Sequence, residues 1–520
     1  LNWLKGTIID QNNQNLIKGG EEVAFNDMRG YMQFLKEKGL LIDVDIELNV
    51  ARETTELQPL MRHLHNQDGP ALMLNNLSGY NTKEIPVLFN PYGTRQRTAM
   101  ILGEDDPLKA KLKHAEILTD QSKWLKPNLI DASKASCKEN KIEKRDINIG
   151  KQLPHVWFGK EGPAYITNAV VITKDPETGI PNTGCYRLTQ LWNASHPHGE
   201  VYSEEEQRTC LSIFAFWNPP GNHIGLHWAK AQEMGKPLEI AIACMVDPVI
   251  QIAGATSIPF GLDEMDFAGG LRGEAIEVVD CETVDIQVPA NSEWVIEGQF
   301  LPKRDVTIGP HSNPIGYYDD AQLFPLIEVD CITHRNDPLW YSTMEMEPPF
   351  DHNYMACLPI EGELLSDLQS KIPEVADVVV TPNLSYFVQL SVDGAQKPHP
   401  EFGKFVLHAV WGASGRWGRT AKVVVVVGPD VNPYDLNEVE WAIQTRVQPF
   451  SDTIINKSGQ AFLMDPSAPK DPGHGIALQS EQIGIDATVK VFERFHTYPE
   501  YSNANAEDVA AIAEKLKDIL

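Results

Sequence analysis

Five consecutive valines, Val423 to Val427, constrain the fold of this chain more than any other feature. A strand with one face in water alternates apolar and polar residues, and this run does not. It predicts a central strand, buried on both faces within an α/β layer structure. A helix is predicted over residues 437–446. Near the end Asn505 can cap an amphipathic helix that carries Val509, Ile512, Ala513 and Leu516 on one stripe. Such a helix packs either on its own chain or on another subunit.

The front of the chain also reads as α/β. Residues 1–24 read as an arm that docks on a neighbouring subunit or as a loosely held terminus, polar from Asp10 to Asn15 and closed by Gly19-Gly20. A helix is predicted over 27–38, capped by Asn26, with Met28, Met32 and Leu35 on one face and Gly39 as its stop. Strands over 40–46 and 85–89, a helix over 56–65, and a turn then strand over 69–77 follow. The lysines between Lys109 and Lys144 read as a solvated helical surface and linker. From Ala164 the pattern changes to short strands with turn signals: 169–173, 211–217, 238–246, 275–279, 285–288 and 293–297. Helices interrupt them after His223 and at Asp247-Pro248, where proline suits the first helical position. Many strands with few helices predict a small barrel with inserted helices.

A chain of 520 residues is too long for one core. The formal net charge of -28 disfavours nucleic acid and anionic membrane as partners. No apolar run reaches the ~18 residues that span a bilayer. Seven cysteines, none in a Cys-x-x-Cys pair, fit a reducing cytoplasm better than a disulfide framework.

The residues able to carry chemistry concentrate in 181–318. Asn182, His223 and Glu264 offer an amide oxygen, an imidazole and a carboxylate. That set suits manganese or magnesium better than zinc, although any chain of this length contains such a trio. His223 and His227 lie four apart, but the glutamate of a zinc-protease motif is absent. Arg187 follows Asn182 by an odd offset, so a regular strand puts the two on opposite faces. Small residues in Gly254-Ala255-Thr256-Ser257 allow a ligand close to backbone amides or simply form a loop. Phe267-Ala268-Gly269-Gly270-Leu271-Arg272-Gly273 lacks the phosphate-loop lysine and the dinucleotide fingerprint.

In order and spacing these segments resemble the UbiD family of decarboxylases that use prenylated FMN. The likeness covers nearly the whole chain after residue 25. It rests on Gly69-Pro70-Ala71-Leu72, Gly79-Tyr80, the Asn-x4-Arg segment from Asn182 to Arg187, and Gly221-Asn222-His223-Ile224-Gly225. Glu264 before Ala268-Gly269 and Arg272-Gly273, then Asp430-Val431-Asn432, Trp441-Ala442, Thr445-Arg446 and Gly484-Ile485-Asp486-Ala487-Thr488, extend it. The resemblance implies an N-terminal α/β domain (25–130), a central split β-barrel that binds the flavin (131–340), and a C-terminal α/β and oligomerisation domain (341–520). It implies that Asn182, His223 and Glu264 hold a divalent metal, Mn2+ or Mg2+, bridging to the flavin phosphate, with K+ nearby. Arg187 would contact the flavin and polarise the substrate carboxylate. Asn222, Thr256 and Ser257 would line the cofactor, and Arg416 or Arg419 would reach its phosphate. The implied reaction is reversible decarboxylation of an aromatic acid, with a flavin prenyltransferase as cofactor supplier and a homo- or hetero-oligomer, dimer to hexamer, as the assembly.

The chain departs from the family at one loop. Where the family reads Glu-Gly-Pro-x-Gly-Glu/Asp, this chain has Ile308-Gly309-Pro310-His311-Ser312-Asn313. Both acids of the family's acid–base triad are lost. His311 or His474 can take over proton transfer, or the chain is a non-catalytic or assisting subunit of a larger aromatic carboxylase. Phenol-type relatives deviate at this loop, which points to an aromatic or phenolic substrate. An FMN oxidoreductase on the same barrel is a third reading, but no nicotinamide fingerprint is present.

Overall fold

The computed structural model describes residues 25–79, 82, 84–192, 202–214, 222–470, 477–490, 502 and 506–516. The predicted arm, the Asn505 cap and His474 lie outside them. The fold is mixed α/β with a β-barrel at its centre. The valine run sits where its composition requires: Val423–Val427 is the middle strand of a five-stranded sheet, parallel to Ser385–Leu390 on one side and Gln479–Ala487 on the other. Val424 to Val427 are all buried. Thr453–Gln460 and Val375–Val380 form the antiparallel edges.

The barrel closes from six strands. Cys210–Ile213, Pro181–Gln190, Ala164–Lys174, Leu238–Cys244, Trp294–Ile308 and Gln322–His334 pair in that order, and the last returns to the first. All pairs are antiparallel. Closure leaves no open edge. Pairing slips between Ile166 and Ala169, opposite Arg187. A bulge of this kind bends the strands and re-aims side chains, which is what the odd offset from Asn182 to Arg187 demands.

At the front, Leu41–Val44, Ala71–Leu74 and Val87–Phe89 form a small sheet. Trp340–Tyr341, which follows the barrel, returns to pair with Val87 and Leu88 in parallel. The first helix is Met28–Glu37, and Asp27 rather than Asn26 caps it by accepting from the Gly30 N–H at 2.8 Å. The helix Asp351–Gln369 connects the barrel to the C-terminal sheet and packs on the helix Pro107–Thr119.

The lysines between Lys109 and Lys144 are not uniformly solvated. Lys111 is fully buried, and its ammonium meets Asp377 Oδ1 at 2.5 Å, Glu361 Oε2 at 3.3 Å and the Tyr434 hydroxyl at 3.0 Å. The Lys138 side chain is 5% exposed and pairs with Glu282 and Glu297. Their carboxylate partners lie more than 100 residues away in sequence, so local composition could not reveal them. The terminal helix Ala506–Leu516 exposes Val509 and Ile512. Among the described residues, no helix is long and apolar enough to cross a membrane.

Candidate functional site

One barrel strand, Pro181–Gln190, carries both halves of the candidate site. At its start Asn182 is buried, and its Oδ1 lies 2.9 Å from His223 Nδ1. The next residue, Thr183, donates its backbone N–H to Glu264 Oε2 at 2.7 Å. The structure thus brings Asn182, His223 and Glu264 around one strand end. Their positions come from helix starts. Asn222 caps the helix His223–Glu233 by accepting from the Gly225 N–H, and Asp263 caps the helix Glu264–Arg272 by accepting from the Met265 N–H.

The electrostatics of this group suit a cation. Burial pushes Glu264 up to about 8, and among the described residues no cationic side chain is one of the groups acting on it. A buried carboxylate without a counter-charge is completed by a proton or by a metal ion. Among the described residues the buried Thr183 hydroxyl has no hydrogen-bond partner. The mixed oxygen and nitrogen donors fit a hard divalent ion. Among the described residues no three His, Cys, Asp or Glu side chains converge as a metal group; the predicted trio has two of these types and an amide.

Arg416 lies near the same group. Burial first, then the Arg416 charge, lowers the His223 pKa. Arg416 is accessible to solvent, yet Glu363, Tyr186 and Tyr386 surround it. Glu363 faces Ser257 and is pushed up to about 7 by burial. Ser257 is exposed, while Thr256 turns inward, where its hydroxyl donates to the Ile252 carbonyl at 2.8 Å and meets His114 Nε2 at 2.9 Å. Of the predicted phosphate arginines, Arg416 is beside the trio. Arg419 is exposed, and among the described residues its guanidinium has no ion-pair partner.

Arg187, farther along the strand, belongs to a second cluster. Its Nη1 donates to the Ser312 carbonyl at 2.5 Å and to Glu345 Oε2. The guanidinium stacks over Phe214, 4.5 Å from the ring centroid, and over Tyr165 at 5.6 Å. Among the described residues its buried Nε has no hydrogen-bond partner. Burial works against the charge, but Glu345, Tyr165 and Glu161 outweigh it and raise the pKa. Glu161 is buried, accepts from the Ser312 hydroxyl at 2.6 Å, and is pushed up to about 7 by burial. His311 is buried, with Nε2 3.5 Å from Asp319 Oδ2 and its ring edge-on to Phe214 at 4.4 Å. Burial lowers its pKa, with Asp319 opposing.

The loop that lost its acids is packed, not vacant. Ile308 is buried, and Asn313 accepts from the Ile315 and Tyr317 N–H groups while donating to Asp319. Glu161 and Glu345 were missed from sequence. Glu161 sits in Gly159-Lys160-Glu161-Gly162-Pro163 and Glu345 in Met344-Glu345-Met346-Glu347-Pro348-Pro349, both with the composition of exposed turns. A cavity of about 460 Å3 opens beside this cluster, its walls including Gln58, Arg62, Ser312, Tyr318, Glu345 and Glu347.

The N-terminal, Rift-related and C-terminal domains of 3-octaprenyl-4-hydroxybenzoate carboxy-lyase match residues 32–113, 128–348 and 353–487. An uncharacterized protein of Synechocystis is 31% identical, spanning 89% of this chain and 90% of that one. One from Archaeoglobus fulgidus is also 31% identical, spanning 90% and 92%. Among solved structures, the UbiD-class enzyme HmfF of Pelotomaculum thermopropionicum in complex with FMN superimposes with a TM-score of 0.79, at 27% identity over 95% of this chain and 100% of that one. The vanillic acid decarboxylase of Sedimentibacter hydroxybenzoicus does so with 0.78, at 26% identity over 96% and 99%.

Proposed function

Because this chain belongs to the UbiD family of carboxy-lyases, we propose that it reversibly decarboxylates an aromatic acid, phenolic acids included, with prenylated FMN and a divalent cation. The observation that carries this reading is the single strand that presents the Asn182–His223–Glu264 group at one end and the Arg187 cluster farther on. HmfF has been seen with FMN and, in an evolved dimeric form, with prenylated FMN.

The roles divide by chemistry. Asn182, His223 and Glu264 would hold manganese or magnesium against the cofactor phosphate, with K+ beside it. Arg416 would complete the phosphate site, with Asn222 and Ser257 near it and Thr256 acting through its backbone. When bound, the prenylated flavin supplies the electron sink that an aromatic carbon lacks on losing CO2. Arg187 binds the substrate carboxylate, and Phe214 and Tyr165 hold the guanidinium in plane. The proton is moved by a group beside Arg187; His311 is in that cluster, and His474 is a candidate from the C-terminal domain. The seven free thiols support the cytoplasm as the compartment. A flavin prenyltransferase would supply the cofactor, and the chain would work as an oligomer.

A second reading, an assisting subunit of a multi-subunit aromatic carboxylase, draws on Ile308 and Asn313 in place of acids. Anaerobic co-expression with a flavin prenyltransferase separates the two. The enzyme reading expects prenylated FMN and about one manganese per chain, by mass and metal analysis. A chain that emerges empty, or with unmodified FMN, transfers the assignment to the assisting role.

A further inference from the structure

The Arg187 cluster contains carboxylates that the loop comparison does not anticipate. Building on the proposed reaction, we infer that Glu345 gives and takes the proton at the reacting carbon, in place of the two acids missing from the 308–313 loop. Two observations single it out. Its Oε2 accepts from Arg187 Nη1, the group that would bind a substrate carboxylate. It also forms part of the wall of the 460 Å3 cavity, which opens to solvent and can return a spent proton.

The neighbouring candidates each lack one of these properties. Glu161 is 4% exposed and fixed by Ser312, and it is not part of that wall. His311 is 2% exposed and closed in by Phe214 and Asp319. His352 faces the same carboxylate, with Nδ1 3.9 Å from Glu345 Oε1, and Asp319 lies across the His311 ring.

The proton follows from charge. Among the described residues Arg187 hydrogen-bonds one carboxylate, that of Glu345. A substrate carboxylate bound to the same guanidinium brings a second negative charge beside Glu345, and like charges favour protonation of one. Glu345 therefore takes up a proton as the acid binds. The ring–carboxylate bond then breaks, CO2 leaves as a neutral molecule, and the bonding electron pair ends in the new C–H bond. The proton passes from Glu345 to that carbon, and the carboxylate left behind is reprotonated from the cavity. Charge is conserved: an anionic acid and a neutral Glu345 become neutral arene, CO2 and an anionic Glu345. Carboxylation runs the same transfers backwards.

The test uses full-length chain loaded with cofactor, carrying Glu345→Gln, Glu345→Asp or His311→Asn. A panel including benzoate, 4-hydroxybenzoate and vanillate is tested for binding by calorimetry in buffers of different ionisation enthalpy. Proton–deuterium exchange at the decarboxylated ring carbon is followed by NMR, and thermal melts check folding. The parent is expected to take up close to one proton per acid bound. Glu345→Gln should abolish that uptake, hold affinity within about threefold, and slow exchange at least about 100-fold. Glu345→Asp should restore uptake and part of the exchange. His311→Asn should retain uptake. Uptake that survives Glu345→Gln, or exchange within about threefold of the parent, overturns the assignment of Glu345 alone. A loaded parent that binds no acid of the panel overturns the proposed function and this inference with it.

Discussion

Replacing Lys111 with Met isolates a contact that joins the front of the chain to the connecting helix and the C-terminal sheet. The Lys111 ammonium comes from the helix Pro107–Thr119, Glu361 from the connecting helix, and Asp377 from the first strand of the C-terminal sheet. Burial alone would push the lysine pKa down, but Glu361 and Asp377 reverse the effect and hold it above its ordinary value. Methionine fills the volume and removes the charge. Glu361 keeps Arg95, whose Nη1 lies 2.6 Å from Oε1, but Asp377 loses its cation while buried. Removing one partner of a buried pair costs about 3–5 kcal/mol. With a urea slope of about 2 kcal/mol/M, the midpoint of the affected transition should fall by about 2 M. Lys111→Met combined with Asp377→Asn removes the orphaned charge and should recover at least half of the loss. Urea unfolding by circular dichroism and tryptophan fluorescence reads both values. A single-variant loss below about 1 kcal/mol, or a double variant no more stable than the single, would refute the claim that charge compensation holds this junction.

Further consequences concern the site and the barrel. The Glu161 pKa rises from 4.5 to about 7 on folding, and at 1.36 kcal/mol per unit this is worth about 3 kcal/mol. That stability is present below pH 4.5 and lost as pH rises to 7, so Glu161→Gln should flatten the parent's decline, a difference read from denaturant midpoints across pH 4.5 to 8. Arg187→Lys keeps a charge but loses the planar fork; turnover should fall at least about 100-fold while mass spectrometry finds the cofactor unchanged. A Cβ on Gly298 would lie 2.1 Å from the Glu328 carbonyl oxygen, at a register break of the barrel. Gly298→Ala should therefore cost roughly 1–3 kcal/mol in thermal or urea unfolding.

Much of the fold was legible because hydrophobic pattern reports burial directly. The valine run, Pro248 behind the Asp247 cap, and Gly39 after the first helix are local signals, and the structure contains each of them. Barrel closure is different, since Cys210–Ile213 meets Gln322–His334 across more than 100 residues. Motif order brought the Asn182–His223–Glu264 trio forward, and the structure places the three around one strand end. Lys111, Glu161 and Glu345 escaped notice for a common reason. A charged residue in a short polar segment reads as solvated until the chain returns from far away to cover it.

The most direct test of the central claim is isotope exchange between 13C-bicarbonate and the carboxyl group of aromatic acids, using anaerobically purified, cofactor-loaded chain. Label is expected in the carboxyl group of at least one acid, lost on removal of the cofactor and reduced at least about 100-fold by Arg187→Lys. No label from a chain shown to carry prenylated FMN and metal, across phenolic and non-phenolic acids alike, would contradict it.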